Sequence, residues 1–503
     1  MSRSSLWLAC AVAWPITLAM PQAANAGPKD MVVVHYRLPA SAYAMETADT
    51  YVLMRAGCLE TLTKYAKDGR LAPSLAESWT QIDDNSWDFK IRPNVKFQDG
   101  TSLNAEAVAA SLNHVLKATT PPRGFTPAEI SSITIVDSMT LRISTPTAVQ
   151  LLPYRLAGPS TGILSQAAYR PDGINIIGTC TGPFTIAKEN PKQSLQLVRN
   201  DNYWGNKAKL TSIDFRFISD GGTRVAQLRS GEAHLVMGIP AANAQTLKSN
   251  KNLRVVTTTL PRTTKLVVNN SREPYKDVRV RQALQYAINR DEIAMGVFEG
   301  FATPAIGPFG PGQPWSYGDE RAIPYDPEKA KTLLKEAGVD PAKLKLELMA
   351  YTDRAELPVL ATVIQAQLKK IGVNADVKVA NWPAIEPNFR AGTFDTGLLS
   401  RSAVTDMSDP SGYLIADYSC DGSYNLGKVC DPKIDKDIKD AMAIKDDAER
   451  NKRYRAIAEE LQAKAVAVYL VHEQQIDGMS QRVRNFDLDQ LGYYLVTEEL
   501  DLE

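Results

Sequence analysis

KLKLELMAYTDRAELPVLATVIQAQLKKIGVNADVKV, residues 343–379, carries the reading that decides the fold. Lys343 to Ala350 is rich in alternating leucines and reads as a strand. Leu360, Val363, Ile364, Leu368 and Ile371 then recur at helical spacing, and Gly372 stops that helix. Val373 to Val379 alternates again as a strand. Strand, helix, strand in this order is a right-handed crossover unit with parallel pairing, so the class is α/β.

The same mixture extends outward. Asp326-Pro327 opens a helix that Gly338 closes, and Asp277 caps a helix to about Asn289 with Val280, Ala283, Leu284, Ala287 and Ile288 as its stripe. Lys265 to Asn269, Thr211 to Ile218, Met139 to Ser144, Ser86 to Arg92 and Met31 to Tyr36 read as strands. Ser102 to Leu116 and Thr223 to Ser230 read as helices. Towards the end, Met442 to Lys464 is mainly helical, Val466 to Val471 is a strand, and the last 25 residues are loop and short strand. The Pro/Gly-rich stretch Gly307 to Pro314 reads as a surface loop. At 503 residues, two to four domains are expected.

Composition excludes several classes. Hydrophobic residues make up 44% of the chain, enough for large cores, so a disordered or collagen-like chain is out. The 57 basic and 57 acidic residues balance, which gives no reason to invoke nucleic acid. Residues 1–26 read as a secretory signal, with Arg3, an apolar Leu6–Met20 and the cleavage site Ala24-Asn25-Ala26. The localisation expected is the periplasm, with no stable membrane insertion after cleavage. Cys10 leaves with the signal. Cys58, Cys180, Cys420 and Cys430 remain, an even number that suggests two disulfides. Three pairings are open, and Cys420–Cys430 with Cys58–Cys180 is the one expected.

Catalytic motifs do not assemble. Gly158-Pro159-Ser160-Thr161-Gly162 matches G-x-S-x-G, but Pro159 precedes the serine and neither flank gives the strand and helix of a nucleophile elbow. His472-Glu473 starts like H-E-x-x-H, yet Ile476 stands where the second histidine belongs. No catalytic residue, resident metal or cofactor is assigned, and the protein is read as a non-enzyme.

Seven segments in order resemble the peptide/nickel family (family 5) of periplasmic solute-binding proteins. They are Leu71–Trp79 (LAPSLAESW), Phe89–Arg92 with Val95–Gly100 (FKIR, VKFQDG), Thr181–Phe184 (TGPF), Arg199–Gly205 (RNDNYWG), Asp277–Arg290 (DVRVRQALQYAINR), Asp326–Ala330 (DPEKA) and Asp409–Ser411 (DPS). The resemblance is closest in pattern to dipeptide- and oligopeptide-binding members. It implies a two-lobed periplasmic-binding-protein fold with mixed sheets and an extra third domain, of the cluster C type. Lobe I would hold 27–50, 165–260 and 475–503, the extra domain 51–164, and lobe II 261–474. Crossings between lobes are expected near Thr259 to Lys265 and His472 to Gly478. Trp79, Trp204, Gly182 and Arg281 are read as packing, turn and helix positions rather than ligand contacts.

The resemblance also implies a ligand site. An aspartate three residues before the acidic-Pro pair takes the ligand's α-ammonium in peptide-binding members, and Asp406 falls there. A buried ammonium needs an anionic acceptor where water is excluded. Arg401 is a candidate grip for a carboxylate, with Arg354 a weaker one. Tyr36 and Arg37 follow the first strand and can line the other wall. Trp382 is a candidate aromatic wall. Tyr424 and Asn425 lie in the Cys420–Cys430 loop, which is similar to a cysteine-closed loop of dipeptide-binding relatives. The aromatic, tyrosine and histidine that nickel-chelate binders use are replaced by Val404 and Ser408 or lack a counterpart, so direct metal ligation is unsupported. Tyr351–Pro358 nevertheless resembles a run of the nickel and metallophore branch.

The leading reading is capture of short peptides in an interlobe cleft and delivery to inner-membrane ABC permease subunits by a monomer. The alternative is a nickel or zinc metallophore chelate or an opine-like amino acid derivative, with any metal arriving only inside the ligand. A secreted α/β hydrolase rests on Ser160 alone.

Overall fold

The computed structural model describes residues 30–503 except 67–68, 123, 148–149 and 405–407. The signal segment and Asp406 therefore lie outside the described residues. The crossover unit forms as the spacing predicts: strand Lys345–Tyr351, helix Glu356–Lys370 and strand Asn374–Ala380, the two strands parallel in register from Lys345 opposite Asn374. The helix buries Leu357, Leu360, Ala361, Ile364 and Leu368 against them.

Among the described residues, one eleven-stranded sheet runs through most of the molecule. One half contains strands 184–190, 194–199, 212–217, 30–35 and 235–237, and the other contains 396–402, 345–351 and 374–380. Two long antiparallel strands, Leu253–Val268 and Ala467–Ser480, join the halves. Residues 253–259 pair with 474–480 on one side, and 263–267 pair with 467–472 on the other. Between Thr259 and Thr263 the register shifts, and a bulge of this kind bends a strand. Separate apolar cores confirm two lobes. Val33, Phe184, Phe215 and Leu235 belong to one, and Leu266, Leu348, Ile364 and Leu398 to the other.

A four-stranded antiparallel sheet, ordered 76–83, 86–91, 140–144 and 132–137, packs with helix Ala105–Leu116 beside the first lobe. Its Phe89, Ile91, Leu141 and Val108 merge into that lobe's core. Cys58–Cys180 and Cys420–Cys430 are disulfide pairs, with Cα atoms 5.4 and 4.4 Å apart. Four of the seven family landmarks meet around the first of them. Arg92 lies 4.6 Å from the centre of the Trp204 ring and its Nε donates to the Ser74 carbonyl. Gln98 Nε2 donates to the Gly182 and Phe184 carbonyls, and Asn200 Nδ2 to Gly182. A Cβ on Gly182 would fall 2.5 Å from the carbonyl oxygens of Gly57 and Cys58, so only glycine allows this approach.

Two stretches differ from the sequence reading. Val466–Val471 is only the start of a fourteen-residue strand, because pairing across both lobes continues the extended backbone through polar Glu473, Gln474 and Gln475. Gly307–Pro314 is not a surface loop along its whole length. Gly307 to Gly310 are buried, covering the strand crossing, where Thr263 Oγ1 donates to the Pro308 carbonyl at 2.9 Å.

Asp477 sits fully buried on the crossing strand. Its Oδ1 accepts from the Gly238 N–H at 2.9 Å and from Gln475 Nε2 at 2.7 Å. Burial pushes its carboxyl up to about 6, while Arg55 pulls the other way. The native state therefore holds this proton more tightly than the unfolded chain, and stability falls as pH rises from about 4 to about 6. Asp477→Asn removes that slope. Urea melts are expected to show the variant more stable than the parent by roughly 2–3 kcal/mol at pH 7.5 and nearly equal to it at pH 4.

Candidate functional site

The lobes enclose a cavity of about 620 Å³ between them. Lobe I and its extra domain contribute Glu60, Lys64 and Tyr65, and the C-terminal segment contributes Phe486 to Leu491 and Tyr494. Lobe II contributes Gln313, Trp315, Val404 and Ser408, and Thr258 and Pro261 come from the crossing strand. Val404 and Ser408, which bracket Asp406 in sequence, both face this space.

Its described charges are mostly acidic: Glu60, Asp487, Asp489, Glu498 and Glu499, against one lysine, Lys64. Glu60 is held by Tyr203 Oη and Trp204 Nε1, each donating at 2.8 Å to a different carboxylate oxygen. Burial nevertheless raises its pKa. Asp489 accepts backbone N–H groups of Leu491, Tyr493 and Tyr494 at 2.9–3.3 Å, which fixes the turn that brings Leu488 and Gln490 to the wall.

Of the sequence-predicted residues in the described part, Arg401, Tyr424, Asn425, Arg354, Trp382, Tyr36 and Arg37, none lines this cavity. They form separate groups. Arg401 donates through Nε (3.1 Å) and Nη2 (2.8 Å) to Asp417 and stacks 4.2 Å over the Tyr424 ring. Asp417 also receives Lys265 Nζ at 3.2 Å, and burial lowers that lysine's pKa while Asp417 opposes the effect. The guanidinium is thus engaged by a carboxylate of its own lobe in this structure. Asn425 braces the disulfide loop, donating to Ser419 and Val429 carbonyls and accepting the Val429 N–H.

Arg354 bridges Glu356 at 2.7 Å and Glu473 at 2.6 Å, and Glu473 also accepts from Thr264 Oγ1 and Ser400 Oγ. Trp382 packs edge-on to Tyr351 and stacks on Phe389. Tyr36 and Arg37 are exposed just past strand Asp30–His35, with Tyr36 stacked on His35. Tyr36, Arg37, Arg354, Trp382 and Arg401 all lie at or just past carboxyl ends of strands, where ligands of open α/β sheets gather. Ser160 is buried in a short 3₁₀ turn, Pro159–Thr161, without the strand–helix frame of a nucleophile elbow.

The cavity residues were hard to find in sequence because they come from distant segments without a motif. The available signal was Tyr203-Trp204, a landmark whose two polar atoms converge on Glu60.

A chain of bonds runs from the cavity wall between segments far apart in sequence. Tyr65 Oη accepts the Ser408 N–H at 2.7 Å and donates to the Tyr154 carbonyl at 2.7 Å. Tyr154 Oη donates to Asp447, which also pairs with Arg450. Arg450 in turn reaches Asp409, the residue after Ser408, at 3.4 Å.

The model for bacterial extracellular solute-binding proteins, family 5, matches residues 70–425. The chain belongs to this family. Members are solute-binding proteins serving ABC importers, not enzymes. This family 5 protein is 28% identical over 468 residues to the nickel-binding protein NikA of Staphylococcus aureus, covering 93% of each chain. It is 29% identical over 437 residues to the glutathione-binding protein GsiB of Escherichia coli K12, covering 84% of each. The crystal structure of a nickel ABC transporter protein from Bacillus halodurans superposes with a TM-score of 0.84 at 29% identity, covering 94% of this chain and all of that one. The two-lobed fold expected from the sequence is the fold of these relatives. Among the described residues no helix is long and apolar enough to cross a membrane.

If Tyr65 and Tyr154 hold the lobes closed, Tyr65→Phe with Tyr154→Phe loosens the interlobe contact. Small-angle scattering of the ligand-free double variant is expected to show a larger radius of gyration than the parent at unchanged thermal stability of each lobe. An identical scattering profile would mean the bonds do not set closure.

Proposed function

We propose that this family 5 protein captures short peptides with a free amino end and delivers them to an ABC permease. The observation that carries the reading is the interlobe cavity: about 620 Å³, the size of a small-ligand site, with carboxylates predominating on its described walls. An ammonium entering such a space loses water and needs anionic or acceptor groups in return. Asp406 is proposed as its direct partner, since Val404 and Ser408, which flank it in sequence, line the cavity. The glutathione-binding relative supports the reading, because glutathione is itself a short peptide.

A second reading is supported by the nickel-binding relatives, which are as similar as the glutathione-binding one. Among the described residues no group of three His, Cys, Asp or Glu side chains is placed to hold a metal ion. A metal would then travel within an amino-acid-like chelate, whose amine and carboxylate groups the same cavity can read. The relay of Arg401 to Asp417 would have to open before Arg401 could grip a carboxylate.

A thermal-shift series separates the two. Tri- and tetrapeptides with a free amino terminus are expected to raise the melting temperature, by mass action on the native state. N-acetylated versions should give no shift. A shift with nickel plus L-histidine and none with any peptide would replace the peptide reading by the chelate one. Asp406→Ala is expected to weaken peptide affinity by about tenfold or more while leaving the apo melting temperature within about 1 °C.

A further inference from the structure

Arg262 lies in the irregular stretch of the crossing strand between Thr259 and Thr263, and it stands opposite Ser402. Pro261, next to it, and Val404, two residues past Ser402, line the central cavity. Arg262 is partly buried, yet its side chain bonds only neutral groups. Its Nη1 donates to the Ser400 carbonyl at 3.3 Å and to Ser400 Oγ at 3.2 Å.

The acids around it are engaged elsewhere. Glu473 accepts from Thr264 Oγ1 at 2.7 Å, Ser400 Oγ at 2.5 Å and Arg354 Nη2 at 2.6 Å. Glu356 accepts from Arg354 Nε at 2.7 Å, and Asp417 holds both Arg401 and Lys265. Three carboxylates therefore serve four cations: Arg262, Lys265, Arg354 and Arg401. Among the described residues, Arg262 is the one of the four without a carboxylate within ion-pair distance. Burial lowers its pKa. Glu473 opposes that through space, and the charges of Arg354 and Arg401 add to it. A guanidinium drawn out of water beside two others needs an anion in return. With Nη1 on Ser400, the fork still offers Nε and Nη2, a spacing that matches the two oxygens of one carboxylate.

We infer that Arg262 anchors a carboxylate of the bound solute through Nε and Nη2, at the lobe II edge of the cavity. The inference rests on the cavity being the solute site and holds for either reading of it. A short peptide brings its terminal carboxylate, and an amino-acid chelate brings those of its amino acids. Arg401 is the less suitable anchor, because Asp417 already fills its fork.

The test is calorimetry on the full mature chain with Ala₄ and its C-terminal amide, and with nickel plus either L-histidine or L-histidinamide. The free acid of whichever ligand binds is expected to be held about tenfold or more tighter than its amide. Arg262→Gln should bring that ratio close to one. Arg262→Lys keeps the charge but loses the fork, so the ratio should fall part of the way, and this variant remains informative if Arg262→Gln does not fold. An undiminished ratio in either folded variant overturns the inference. So does a ratio that survives Arg262→Gln and collapses in Arg401→Gln, which would give the carboxylate to Arg401. Equal affinity of the parent for acid and amide overturns the anchor and leaves the cavity reading standing. Binding of nickel–histidine alone removes the peptide reading, and the histidine ratio then decides on Arg262. If neither ligand binds the parent, the cavity reading fails and the anchor falls with it.

Discussion

The antiparallel pairing of Leu253–Val268 with Ala467–Ser480 is the constraint on which the rest of the molecule depends. Each strand belongs to both lobes, so the lobes are two ends of one hydrogen-bonded sheet rather than two beads on a linker. The ladder is interrupted between Thr259 and Thr263, and there the backbone can bend with few ladder bonds to distort. The buried Gly307–Gly310 segment and the bond from Thr263 Oγ1 to the Pro308 carbonyl cover this crossing.

Charges are divided unequally between the walls of the cleft. On lobe II, Arg401, Lys265 and Arg354 are paired with Asp417, Glu356 and Glu473. Around the central cavity the described acids outnumber the single lysine. A balanced overall composition therefore conceals a local imbalance, and the local field is what a small ligand meets. Neither the zero formal charge nor the pI carries that information.

Much of the fold was legible in the sequence. The alternation of Leu346 and Leu348, the stripe from Leu360 to Leu368, and the caps at Asp277 and Asp326 are local signals, and each marks the element it announced. Four of the seven landmarks touch one another: Arg92 on Trp204, Gln98 and Asn200 on Gly182, and Ser74 on Arg92. The site was much less legible. Glu60, Tyr65, Gln313 and Asp489 are far apart in the chain and carry no spacing rule. Their common feature is a surface that exists only after two lobes and the C-terminal segment have packed together.

The sequence by itself determined the α/β class, the four cysteines left for two bridges, and membership of a two-lobed binding family. Periodicity, cysteine count and local turn chemistry are properties of neighbouring residues, so no tertiary information was needed to read them. Packing in three dimensions set how Tyr65 and Tyr154 join Ser408 and Asp447, and which charges face the cavity. Those features depend on groups brought within about 3 Å of one another from segments hundreds of residues apart. Short-range hydrogen bonding and desolvation act at that distance in space, whatever the distance along the chain.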